Sequence, residues 1–328
     1  MTTRRKLLLV LGAGAATLAV PAFAQQEKRV RRIGYLSGSS LQSNAAWLAA
    51  FRQGMAELRW TDGRDYLLDA RYANGVPQAM ASLATELVAS QPDLLLTSAD
   101  TPALLLSQRT KTIPIVFTVI QDPIGSGVAA SLQHPGGNAT GLANLARDLS
   151  GKRLQLLKEA FPRISHVAML FEPAVAGIKS QVKETQDAAV LLGMRVTPIE
   201  LRQIADIEAA FKRGPAIGAQ AYIVLQGGIQ ASQRQALVDN SMRLKAPAIY
   251  ASIELMDAGG LMAYSASQKD NFRRAASYVD KILKGAKPGD LPIEQPRKFE
   301  LVINKLTAKT MGLTIPQSVL LQATRVIE

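Results

Sequence analysis

The sequence contains no cysteine and only two histidines, His134 and His166. Without cysteine, the chain forms no disulfide, uses no thiol chemistry and lacks the lipid-bearing residue of a tethered bacterial lipoprotein. His134 lies in a Pro-Gly segment and His166 begins an apolar run, and no H-E-x-x-H or G-x-S-x-G motif accompanies them. We therefore predict a protein without catalytic residues and without a metal site.

Motifs for nucleotide and nucleic-acid binding are also missing. The fragment Gly125-Ser126-Gly127 lacks the third glycine of a dinucleotide fingerprint, and no G-x-x-x-x-G-K-[ST] motif occurs. Aromatic residues make up only 5% of the chain, and its 38 basic and 26 acidic residues are scattered rather than clustered. We predict neither a nucleotide cofactor nor a nucleic-acid partner, because no basic arm or recognition motif is present. The excess of positive charge favours anionic ligands.

The first 24 residues have the three parts of an export signal. Basic residues 4–6 are followed by an apolar run over residues 7–20 and by Ala22-Phe23-Ala24, a small-x-small cleavage site before Gln25. A run of about 14 apolar residues is shorter than the about 20 that a membrane span needs. We predict a periplasmic protein with a cleaved signal that is not membrane-embedded. The paired arginines also fit a twin-arginine signal, so the general secretory and twin-arginine routes both stay open.

Beyond the signal, short apolar runs alternate with amphipathic stretches. Runs such as DLLL and IPIVF are typical of strands that are covered on both faces of a parallel sheet, and the stretches between them have apolar residues at helical spacing. The alternation begins at residue 32, stops at a Pro-Gly loop near residue 135 and starts again at residue 150. We predict an α/β fold with two Rossmann-like lobes, each with a parallel sheet.

The C-terminal region is too short for a third lobe and is expected to complete the first two. We assign residues 28–145 and about 258–286 to lobe 1, and residues 146–257 and about 287–328 to lobe 2. The chain would then cross between the lobes near residues 145, 258 and 287. Several crossings form a hinge, which permits rigid-body closure over a ligand.

Polar residues follow the carboxyl ends of the predicted strands, where open α/β sheets bind their ligands. In lobe 1 the candidate ligand-binding residues are Ser37, Gly38, Ser39, Thr97, Ser98, Asp100, Thr101, Thr118 and Asp122. In lobe 2 they are Glu172, Gln226, Tyr250 and Glu254.

These candidates have two interpretations. Hydroxyls and free N–H groups at helix N-termini bind carboxylates, but the same side chains also serve simply as helix caps. Asp122, Glu172 and Glu254 are expected to pair with a ligand ammonium group, and Tyr250 is expected to stack on an apolar or aromatic ligand.

From Arg32 to Glu328 the sequence resembles the ABC-transporter substrate-binding proteins, the family that includes the tryptophan/tyrosine-type binding proteins. The resemblance is carried by segments such as FRQGMAELRW, LSGKRLQLLKEAFP, AGGLMAYSA and PRKFELVINKLTAKTMGLTIPQSVL. It implies a type I periplasmic binding fold, one small ligand in the cleft, and delivery of that ligand to a membrane permease with a separate ATPase. The turns Glu172-Pro173-Ala174-Val175 and Gln226-Gly227-Gly228 depart from the common pattern, so the resemblance does not fix the ligand.

The leading hypothesis is a monomeric periplasmic receptor that captures an amino acid or related small carboxylate by hinge closure. An alternative is a ligand-sensing subunit that serves a membrane receptor instead of a permease. An exported α/β hydrolase is a further alternative, which the fold alone does not exclude.

Overall fold

The computed structural model describes residues 29–143, 147–175 and 177–328, so the predicted export signal lies outside the described residues. Lobe 1 contains a five-stranded parallel sheet with strand order β2-β1-β3-β4-β5. Its elements are β1 Arg31–Ser37, α1 Leu41–Glu57, β2 Tyr66–Tyr72, α2 Pro77–Ala89, β3 Leu94–Thr97, α3 Asp100–Arg109, β4 Ile115–Ile120 and β5 Ala139–Ala143. All the residues of β3, β4 and β5 are buried, as expected for strands with helices on both faces.

Lobe 2 contains a seven-stranded sheet with strand order β12-β11-β10-β9-β8-β6-β7, in which only the β10–β11 pairing is antiparallel. Its strands are β6 His166–Phe171, β7 Arg195–Glu200, β8 Ala221–Val224, β9 Ala248–Tyr250, β10 Met262–Ala266, β11 Phe299–Asn304 and β12 Arg325–Ile327. Its helices are α4 Arg147–Ala160, α5 Ile178–Leu191, α6 Asp206–Ala216, α7 Gly228–Ser232, α8 Arg234–Arg243, α10 Lys305–Met311 and α11 Gln317–Leu320. The two sheets confirm the predicted fold class.

Each sheet has apolar clusters on both of its faces. In lobe 1, one cluster includes Tyr35 and Phe51 and the other includes Leu36 and Phe117. Neighbouring residues of β1 therefore point to opposite faces, as the two-residue period of a strand requires. Among the residues that the structure describes, no helix is long and apolar enough to cross a membrane.

The helix α9 Gln268–Leu283 returns to lobe 1 and packs against α1. The rings of Trp47 and Phe272 stack with centroids 5.6 Å apart, and Trp60 Nε1 donates to Asp280 Oδ1 at 2.8 Å. The two helices approach closely at Gly54, where an added Cβ would lie 2.3 Å from a backbone oxygen of α9.

The second and third crossings differ from the expected positions. Residues 258–266 stay with lobe 2, because β10 pairs with both β9 and β11, and the chain leaves this lobe only after Ala266. The apolar run of β10 fits an inner strand of that sheet. Residues 287–294 stay with lobe 1, where Ala143 donates its N–H to the Glu294 carbonyl at 2.9 Å. The third crossing therefore falls between Glu294 and Phe299.

Candidate functional site

The carboxyl ends of the strands of the two lobes lie on either side of a cleft. A Cβ built on Gly177, which follows β6 in lobe 2, would lie 3.2 Å from the Cβ of Asp122, which follows β4 in lobe 1. A Cβ built on Gly75, after β2, would lie 3.6 Å from the Cβ of Ser232 in α7. The lobes are therefore in near contact at two places along the cleft rim.

The loop after β1 is held by a buried hydrogen-bond network around Asn44. Asn44 Oδ1 accepts from the Tyr35 hydroxyl at 2.7 Å and from Ser37 Oγ at 3.2 Å. The Tyr35 hydroxyl also lies 3.2 Å from Ser98 Oγ, and Ser37 Oγ accepts from the N–H of Ser39 at 3.2 Å. Burial raises the pKa of Tyr35, which therefore stays a neutral donor. The predicted residues Ser37, Ser39 and Ser98 thus lie at the cleft edge, where hydrogen bonds through Tyr35 and Asn44 join the loop after β1 to the loop after β3.

Thr97, the last residue of β3, and Thr118, inside β4, are fully buried. Thr97 Oγ1 donates to the Leu36 carbonyl at 2.9 Å, and Thr118 Oγ1 donates to the Thr97 carbonyl at 3.3 Å. Both hydroxyls tie neighbouring strands together. Thr101 lies in the first turn of α3 and is exposed, and a Cβ built on Gly38 would lie 3.0 Å from Met80 Cε.

Asp100 holds the loop after β4, which approaches lobe 2 at Asp122. It is 3% exposed, and its carboxylate accepts from the N–H groups of Gln121 and Asp122 at 3.1 and 3.3 Å. Burial raises the pKa of Asp100 to about 7, although these N–H groups oppose the shift. The preceding Ala99 has φ 76° and ψ 161°, a backbone conformation that costs a non-glycine residue about 1–3 kcal/mol. Asp100 therefore positions Asp122, whose Oδ1 accepts from the N–H of Gly125 at 2.8 Å.

Glu172 is bound within lobe 2 rather than left free for a ligand ammonium group. Its carboxylate accepts from the N–H groups of Gly228, Ile229 and Gln230 at 3.0, 2.7 and 3.2 Å. Burial raises the pKa of Glu172, and the three N–H donors oppose that shift. The side chain thus fixes α7, which carries Ser232 to the interlobe contact. Gln226 lies half-buried in the loop between β8 and α7.

Tyr250 is not placed to stack on a ligand, contrary to the expectation from sequence. Its side chain is fully buried in the core between β9 and α8, and its hydroxyl lies 3.0 Å from Ser241 Oγ. Side chains alternate between the faces of a strand, and this one points into the helix-covered face. Glu254 is half-buried and accepts a hydrogen bond from Ser252 Oγ, two residues after the end of β9.

Several polar side-chain atoms outside the predicted ligand-binding residues are buried without a hydrogen-bond partner among the described residues. A buried polar atom without a partner costs about 1–3 kcal/mol. They include Gln121 Oε1, Gln230 Nε2, Gln268 Oε1, Asn271 Oδ1 and Nδ2, and Arg153 Nη1. Gln121 and Gln268 follow the ends of strands by one and two residues and were identifiable for that reason, whereas Asn271 and Arg153 lie inside helices, where no strand-end rule applies.

His134 is exposed in the loop between β4 and β5, and His166 lies at the sheet edge opposite the carboxyl ends of the strands. His166 begins β6 at the amino edge of the sheet, where Nε2 lies 2.8 Å from Thr197 Oγ1 and Nδ1 lies 2.9 Å from Arg195 Nη2. Burial lowers the pKa of His166, and the neighbouring Arg195 adds to that effect. No group of three or more His, Asp or Glu side chains that could hold a metal ion is found in the described ranges.

Two α/β lobes with facing carboxyl edges, between which the chain crosses three times, define a type I periplasmic binding protein fold. Residues 35–327 match the family model described as ABC transporter substrate binding protein, and the chain belongs to that family. The family consists of binding proteins rather than enzymes.

Several proteins of known name or structure align with most of this chain. The tyrosine-binding protein of Clostridioides difficile (strain R20291) is 23% identical over 265 residues, which is 80% of this chain and 75% of that protein. The ABC domain from Streptococcus pneumoniae in complex with L-Trp is 28% identical, covers 91% of this chain and 100% of its own, and has a TM-score of 0.84. A conserved domain protein from Vibrio cholerae is 26% identical with the same coverage and a TM-score of 0.85.

Proposed function

We propose that this protein is the periplasmic receptor of an ABC uptake transporter and captures an amino acid or related small carboxylate in the interlobe cleft. It would pass the ligand to a membrane permease driven by a separate ATPase, and it would act by binding without turnover. Residues 1–24 supply the export signal that this role requires.

The observation that carries the proposal is the set of unpartnered polar atoms beside the interlobe contacts. Gln121 follows β4 in lobe 1, and Gln230 lies in α7 of lobe 2. Each has a buried amide atom without a partner in the described part of the chain. A ligand that bonds to both lobes would satisfy these atoms only when the lobes are together. Such a ligand stabilises the closed arrangement, which is the population shift by which a binding protein signals its loaded state.

The relatives support an amino acid as the ligand. One curated relative is named a tyrosine-binding protein, and one similar structure contains L-Trp. A zwitterionic amino acid offers both donors and acceptors, and the cleft edge carries amide groups that accept or donate hydrogen bonds. Asp122 at the edge of lobe 1 is suited to a ligand ammonium group.

Titration calorimetry of the mature protein, residues 25–328, tests the proposal. The panel contains L-tryptophan, L-tyrosine, the other proteinogenic amino acids and small carboxylic acids. Saturable binding of at least one of them, with a stoichiometry of one, is the expected result. If the protein keeps its circular dichroism spectrum but binds none of them, the proposal is wrong.

A further inference from the structure

Arg153, in α4, is a fully buried cation at the start of lobe 2. Its side chain is 1% exposed and is among the largest fully buried side chains described. Nε donates to the backbone carbonyl of Tyr264 at 2.8 Å, and Nη1 is buried without a hydrogen-bond partner. One backbone carbonyl thus satisfies only part of a guanidinium group that carries five N–H donors.

The strand register places this guanidinium at the cleft edge of the sheet. Ala263 of β10 is paired with Tyr250, the last residue of β9, so Tyr264 lies level with Ala251, just beyond that strand. Tyr250 is in turn paired with Val224, the last residue of β8. The Tyr264 carbonyl that accepts from Arg153 therefore lies at the same edge of the sheet as the loops that carry Gln226 and Glu254.

The charge of Arg153 lacks an acidic partner within the described residues. Burial lowers the pKa of Arg153 to about 10, which still leaves the group protonated at neutral pH. No described Asp or Glu lies within ion-pair distance of it. By contrast Arg274, which is also largely buried, lies against both Glu294 and Asp270. Burying a charge is unfavourable unless it is paired and hydrogen-bonded, so the site calls for an anion.

We propose that Arg153 is the anion-binding residue of the cleft and pairs with the carboxylate of the ligand. The planar fork of a guanidinium matches the two oxygens of a carboxylate, and Nη1 is the N–H group left for it. This assignment rests on the proposed function and makes it more specific. The carboxylate binds lobe 2 beside the hinge, and the receptor rejects amines that lack it.

Two variants and a ligand pair test the assignment. Arg153→Met removes the charge, and Arg153→Lys keeps it but loses the planar fork. Arg163→Met is the matched control, because Arg163 lies just beyond the same helix and is exposed. Calorimetry with L-tryptophan and L-tyrosine is compared with tryptamine and tyramine, which lack the carboxylate.

Arg153→Met is expected to weaken amino-acid binding by on the order of 100-fold, Arg153→Lys by less, and Arg163→Met not at all. The ligand-free Arg153→Met protein should unfold at an equal or higher temperature than wild type, because an unpaired buried charge is removed. A purely structural role would instead lower the unfolding temperature and leave the preference for carboxylates intact.

The outcomes separate this assignment from the proposed function. If wild type binds an amino acid but Arg153→Met binds it equally well, the assignment alone is wrong. Equal binding of tryptamine and L-tryptophan by wild type also overturns it, even if Arg153→Met does not fold. If wild type binds no member of the panel, the proposed function fails, and the assignment fails with it.

Discussion

Replacing Asp100 with asparagine is expected to change how the stability of the protein depends on pH. Burial raises the pKa of Asp100 from 3.8 to about 7. A carboxyl group with a raised pKa keeps its proton in the folded protein over a pH range in which the unfolded chain has already lost it. The folded state then binds more protons than the unfolded state, so raising the pH through this range favours unfolding.

The size of the effect follows from the two pKa values. The window runs from 3.8, the ordinary value, to about 7, the value in the folded protein. About three pKa units at about 1.4 kcal/mol each give roughly 4 kcal/mol for this group. Below the window both states are protonated, and above it both are ionised, so the contribution to the slope vanishes at either end.

Asparagine at position 100 keeps the side-chain shape and the Oδ1 acceptor for Gln121 and Asp122, but it does not titrate. The free energy of unfolding is measured by urea denaturation in steps from about pH 4 to about pH 8. The stability of Asp100→Asn relative to wild type should rise by roughly 4 kcal/mol across the window. Asp257→Asn, at an exposed position, is the control and should show no such trend. A flat difference for Asp100→Asn would refute the reasoning.

Two further substitutions test the interlobe contact and the core. Gly177→Ala should weaken ligand binding by roughly 5-fold more than Gly193→Ala, because its new Cβ would lie 3.2 Å from the Cβ of Asp122 in the other lobe, whereas nothing lies within 4 Å of a Cβ built on Gly193. Both glycines have positive φ, so the backbone cost is matched, and equal affinities measured by calorimetry would contradict the contact. Tyr250→Phe should lower the free energy of unfolding by about 1 kcal/mol, through loss of its hydrogen bond with Ser241, and leave ligand affinity unchanged. A large loss of affinity would instead show that the Tyr250 hydroxyl takes part in ligand binding.

The alternation of apolar runs and amphipathic stretches was sufficient to predict the two-lobed α/β fold, because buried parallel strands and amphipathic helices have distinct periods. The crossings were harder to predict. Residues 261–266 form an apolar run that would suit a buried strand in either sheet, and only the pairing with β9 and β11 assigns it to lobe 2. The local sequence of a strand does not determine which of the two sheets it joins.

The sequence predicted where the candidate residues lie along the strands, but not which groups their side chains contact. Asp100 and Asp122 lie at the cleft edge because each follows the carboxyl end of a buried strand. The use of Glu172 to fix α7 depends on a segment more than fifty residues away, at Gly228 and Ile229. Arg153 occurs in a pattern that also suits a solvent-facing helix residue, and only the packing of α4 against β10 shows that it is buried.

In the proposed function, one small carboxylate is held between the two lobes. A crystal structure of the mature protein, grown with the amino acid that binds most tightly in calorimetry, would locate this ligand. We expect ligand density between the two sheet edges, in contact with the loop of Gln121 and Asp122 on one side and with lobe 2 on the other. Density that touches only one lobe, or lies outside the cleft, would contradict it.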